Sequence, residues 1–162
     1  MDAFDQLNLV AEISAALIGF IAVFIALSKS DGRFSESDRH FIQALVITSA
    51  LAIVYALLPR SISLFDDNES VWRMASIVAV TLGSVAMFMQ ARQQLYMSRG
   101  EAAKIHWLWH FVAWALGISS AILFVLALLD STRTTAYYVS GVSLMVPLSL
   151  WVFVGVVFRR FF

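Results

Sequence analysis

Five stretches of the chain are apolar for long enough to cross a membrane. They run over approximately 7–27, 41–58, 71–89, 105–129 and 136–158, with the second extending toward Phe65. A helix needs about 20 mostly apolar residues to span the hydrocarbon core. The stretches between them hold about 13, 6 to 12, 15 and 6 residues, too few for a soluble domain. This pattern predicts an all-α, polytopic integral membrane protein with a single transmembrane domain over 1–162.

Composition supports that reading. Hydrophobic residues make up 60% of the chain and charged residues 14%, against roughly 45–50% and 25% in soluble domains. A water-exposed fold of this size has too little interior for so much apolar surface. Soluble enzymes and disordered chains are excluded. Eleven basic residues balance eleven acidic ones, so no basic field exists to collect nucleic acid. The chain has no cysteine, which removes disulfides, thiolate nucleophiles and Cys-ligated metals. The start, MDAFDQLN, is acidic and is not expected to be a cleaved leader.

Orientation follows from the basic residues near the span ends. Lys29, Arg33, Arg39, Arg92, Arg99, Lys104, Arg159 and Arg160 share one side, and Arg60, Arg73 and Arg133 the other. The excess predicts the N-terminus outside and the C-terminus inside, in a plasma membrane or bacterial inner membrane.

Helical periodicity divides the spans into faces. Asn8, Glu12, Ala15, Gly19, Ala22 and Ala26 fall within about 80° of arc on the first. Val10, Ile13, Leu17, Phe20, Ile21 and Phe24 point the other way and read as lipid-facing. Small residues recur on one side of the second span (Ala44, Thr48, Ala52, Ala56) and the third (Ala75, Ala79, Gly83, Ala86, Gln90). On the fourth they share a side with His106 and His110, at Ala113, Gly117 and Ala121. Such stripes permit close helix approach. They read as helix interfaces, or, on the first span, as the wall of an aqueous path between subunits. Pro147 should bend the fifth span. Trp72, Trp107, Trp109, Tyr137, Tyr138 and Phe158 suit headgroup depth, whereas Trp151 lies deep enough to pack inside.

Few groups promise chemistry. Glu12 is the one acidic residue inside a span, where a charge costs about 3 kcal/mol or more unless paired or hydrated. Arg60 lies at similar depth, so an ion pair that staples two helices is one expectation. A ring of Glu12 carboxylates at an oligomeric pore is the other. His106 and His110 stand at i, i+4, a spacing that brings two imidazoles to one metal ion. A zinc, copper or iron site, or haem ligated with His40, competes with histidines bonded to carbonyls or headgroups. Asp38, Gln43, Gln90 and Glu101 are predicted near the same surface as the histidines. Glu12 and the histidines differ in depth by about 15 Å, so they do not form one site. No phosphate-cradling glycine loop or nucleophile elbow is present, and enzymatic activity is not expected.

Three readings remain open. The first is a homo-oligomeric ion channel or small-ion or proton carrier, with the first helix lining the path and Glu12, Asn8 and Gly19 upon it. The second is a structural or accessory subunit of a larger membrane complex. The third is a His-ligated metal or haem redox protein. Because the chain is cysteine-free, orientation can be read directly. Asp2→Cys should react with a membrane-impermeant thiol reagent applied outside intact cells, and Ser98→Cys only after lysis. The opposite pattern inverts the topology.

Overall fold

The structure is a computed structural model that describes residues 2–28, 35–64, 70–96 and 107–161. The described residues form six helices: α1 (Ala3–Ser28), α2 (Glu36–Ser63), α3 (Ser70–Tyr96), α4 (Trp107–Leu129), α5 (Thr134–Ser143) and α6 (Met145–Phe161). Helices α5 and α6 make one span, and the chain is a multi-pass membrane protein with five spanning segments. The first, third and fifth run further than hydropathy alone indicated. The second continues through Pro59 to Ser63.

Helix ends follow ordinary capping rules. Ser35 caps α2 in a reciprocal box with Asp38, so that two orphan amides are satisfied together. Asp2 and Asp5 exchange the equivalent backbone bonds at α1, at 2.7 and 3.3 Å. Between α4 and α5, the Asp130 carboxylate accepts the Thr132 amide at 2.9 Å and its hydroxyl at 2.6 Å. Those bonds hold its pKa below the ordinary value. The first loop around Gly32 and the third around Arg99 and Gly100 lie outside the described residues.

The expected bend at Pro147 is a break at Leu144. A proline ring collides with the carbonyl four residues earlier and offers it no N–H; that carbonyl belongs to Ser143, where α5 ends. Backbone bonds from Leu144 to Ser140 (3.1 Å) and from Leu148 to Leu144 (3.3 Å) carry the chain across.

Pro59 acts differently. It sits buried inside α2 without ending it. Its missing N–H leaves the Tyr55 carbonyl without a helical donor. The Tyr138 hydroxyl, from α5, donates to that carbonyl at 2.7 Å. The Tyr55 hydroxyl in turn donates to the Ala79 carbonyl of α3 at 3.0 Å. Phe124 of α4 packs against both tyrosine rings, with centroids 5.5 Å from each. Gly141 makes room for it: a Cβ there would lie 3.0 Å from the Phe124 ring. Ala52, Ala56, Ala75 and Ala79 close this core. A second cluster, of Ile21, Phe41, Leu45, Leu148, Val152 and Val156, fills the other half of the bundle.

Three expectations need correction. First, Val10, Leu17 and Ile21 are buried, and Phe24 packs inward; of the six residues expected to face lipid, Phe20 is the exposed one. The small face of α1 points outward instead, with Glu12, Ala15, Gly19, Ala22 and Ala26 all exposed. Bulky α1 side chains fill the shallow surface left by Ala52 and Ala56 on α2. Two small faces set together would leave a void there. Second, Tyr138 is fully buried and not at a headgroup belt. Trp72 is half-buried against Phe4 and Tyr138. Third, Trp109 stacks on Trp151 at 4.4 Å between centroids and accepts its indole N–H at the backbone carbonyl, 3.3 Å away. Trp151 thus packs within the protein as expected, while Trp107 and Phe158 are exposed.

The Pro59–Tyr138 pairing is testable by a double-mutant cycle. Tyr138→Phe should destabilise the protein in unfolding titrations by about 1–3 kcal/mol, the cost of an unsatisfied buried carbonyl. In a Pro59→Ala background the restored residue-59 amide serves Tyr55, and the same change should cost well under half as much. Equal costs in both backgrounds would show that the hydroxyl does not stand in for the proline.

Candidate functional site

Two regions of the bundle hold the residues of interest. The first is the outer face of α1. Glu12 lies nine residues into the helix, about 14 Å along its axis. It points directly away from the buried line of Val10, Ser14, Leu17 and Ile21. Asn8 is half-buried one turn before it. A Cβ added at Gly19, two turns after it, would meet nothing within 4 Å. Arg60 is also exposed, and no ion pair joins it to Glu12. The staple expected between α1 and α2 is not made, because Glu12 turns outward.

The second region lies at the end of the bundle where α2 and α4 begin and α3 ends. His40 is buried, and its ring centroid stands 6.5 Å from that of His110. Gln94 Nε2 is 3.2 Å from His110 Nδ1, and Gln94 Oε1 accepts the Trp114 indole N–H at 3.3 Å. Gln93 Nε2 donates to Gln43 Oε1 at 3.0 Å. Buried atoms remain without a partner here: His40 Nδ1, Gln90 Nε2 and Gln93 Oε1. His106 lies outside the described residues, as does Glu101. The i, i+4 histidine pair therefore has one placed member. Among the described residues no three His, Cys, Asp or Glu side chains gather as a metal site.

A cavity of ≈ 510 Å³ opens from this cluster into the membrane region, between α2, α3, α4 and α6. Its polar end is lined by His40, Gln90, Gln94 and His110, and its far end by Tyr55 and Phe124. The small residues of α4 thus border open space at Ala113, Gly117 and Ala121, where a close interface was expected. Gln93, Gln94 and Trp114 were not singled out from sequence. The available signal was Gln90, Gln93 and Gln94 at i, i+3 and i+4 in the last turns of an apolar span, which places three amides on one helix face.

No protein-family model, curated protein or solved structure matches this chain.

Proposed function

We propose that copies of the chain assemble through the small-residue face of α1, and that Glu12 binds a small cation along the path so formed. One observation carries this reading: an exposed carboxylate sits on the outward face of an apolar spanning helix, with no partner among the described residues. Facing hydrocarbon, that charge costs about 3 kcal/mol or more; facing water or a polar neighbour it does not. Ala15, Gly19, Ala22 and Ala26 flank it with side chains small enough for another helix to approach closely. Five short helices enclose little by themselves, and closed rotational symmetry is the natural way to repeat one face around an axis. A ring of carboxylates then attracts cations at the mouth of the path. Asn8 lines the outer approach, and Gly19 with the alanines forms the wall. Arg60 stays outside the path.

The test uses the cysteine-free background. Gly19→Cys should form disulfide-linked dimers of this chain under mild oxidation in membranes, since the added side chain meets no neighbour within its own subunit. In reconstituted vesicles, Glu12→Gln should lower cation flux by about tenfold or more while the oligomer persists, as expected for one lost charge–charge contact of about 1.4 kcal/mol. A monomer by light scattering, with no cross-link, would overturn the assembly. Cross-links to a different chain alone would assign the face to a partner subunit instead.

A further inference from the structure

The cavity between α2, α3, α4 and α6 is independent of the α1 face, and its chemistry is of another kind. Among the described residues, no Asp, Glu, Lys or Arg lines it. Its walls are aliphatic and aromatic over most of their length, through Ile47, Leu51, Val80, Met87 and Leu148. Along α2 the lining runs from His40 to Tyr55, fifteen residues or about 22 Å of helix. The volume lies within the range of about 300–1,000 Å³ typical of small-ligand sites. Long and narrow, the cavity suits a single alkyl tail.

Two features indicate what caps that tail. Imidazoles and amides converge at one end, where the starts of α2 and α4 meet the end of α3. Two of them carry buried atoms without a hydrogen-bond partner by geometry among the described residues: Nδ1 of His40, itself 8% exposed and beside the Gln93 amide, and Nε2 of Gln90. Such atoms in a low-dielectric site favour a ligand that supplies hydrogen bonds. Among the described residues, an anionic head would find no Lys or Arg there, and a cationic head no carboxylate. Access is lateral. Ser84, Ile118, Ile122 and Val125 line the cavity yet are exposed on the outer surface of α3 and α4, so the opening faces the acyl chains of the bilayer.

We infer that this cavity binds a single-tailed amphiphile with an uncharged, oxygen-bearing head, the head among His40, Gln90, Gln94 and His110 and the tail toward Tyr55 and Phe124. Glycerol esters and alkylated quinones both present that chemistry: carbonyl or hydroxyl oxygens on an uncharged head, followed by one long chain. Gly117 keeps the middle of the site open. A Cβ there would meet nothing within 4 Å, so a large side chain can occupy the cavity without displacing a helix.

The lining indoles, Trp109 and Trp114, report on occupancy. The full chain is placed in phospholipid nanodiscs and titrated with a monoacylglycerol brominated along its tail. Tryptophan quenching should saturate and be reversed by unbrominated monoacylglycerol. A decyl benzoquinone forms the second arm, and saturable binding in either arm identifies the head. Gly117→Phe should weaken the bound probe by about tenfold or more, and His40→Leu with Gln90→Leu by a similar factor, as the loss of one or two hydrogen bonds implies. Ala121→Phe is a second filler should Gly117→Phe fail to fold. The inference is overturned if quenching rises linearly with probe and is equal in the filled variants. It is also overturned if the brominated fatty-acid anion of the same tail binds as well as the uncharged probes.

Discussion

The bundle depends on one transferred hydrogen bond. Inside hydrocarbon no water can serve a carbonyl that its own helix leaves open. Pro59 opens the Tyr55 carbonyl of α2, and a tyrosine from a distant span closes it at 2.7 Å. The consequence extends beyond one pair. Reaching that carbonyl requires Tyr138 to be fully buried, which draws α5 against α2. Tyr55 is then held so that its own hydroxyl reaches α3. The ring of Phe124 fits between the two tyrosines, and Gly141 must stay small to admit it. Three helices are located by hydrogen bonds and a fourth by the ring that they leave room for.

That knot lies in one half of the bundle. The other half is held differently. There, the polar contacts are between side chains near a membrane surface, such as Gln94 with His110 and Trp114, and the stack of Trp109 on Trp151. Helices α2 and α4 have no extensive contact with one another, and the cavity occupies the space between them. The break at Leu144 joins the two regimes. Helix α5 and the first residues of α6 belong to the tyrosine knot, and α6 from Leu148 onward to the cluster around Phe41 and Leu45.

How much of this was legible in the sequence depends on the solvent. The five spans were, because hydrocarbon demands long runs of apolar residues and tolerates few exceptions. The bend near Pro147 was, because its cause is local. The facing of α1 was not. In water a bulky apolar side chain is driven inward, but lipid is as apolar as leucine, and Val10 or Ile21 gains nothing from burial as such. What selects the face is the shape of the neighbour: α2 presents Ala52 and Ala56, and large side chains fill that surface. Tyr138 was misplaced for a related reason. A ring with a polar edge near a span end suits the headgroups equally well, and its actual partner arises from a proline about eighty residues earlier. The amides at Gln90, Gln93 and Gln94 were legible in spacing, yet only the packing shows that two of them border a cavity.

The same argument gives the outward face of α1 its significance. A face chosen for shape complementarity leaves the opposite face to chance unless something else acts on it. Here the opposite face is not a random remainder. It carries Glu12, the acidic residue set deepest in the described spans, and a run of alanines and a glycine at helical spacing. Lipid rewards none of these choices: small side chains gain no packing against mobile tails, and a carboxylate loses its hydration. The cost is removed when that surface meets another helix or water. Nothing in the internal packing of the subunit needs Glu12 where it stands, since the tyrosine knot and the second cluster close without it. On the proposed assembly, the physical reason for its position lies outside the single chain.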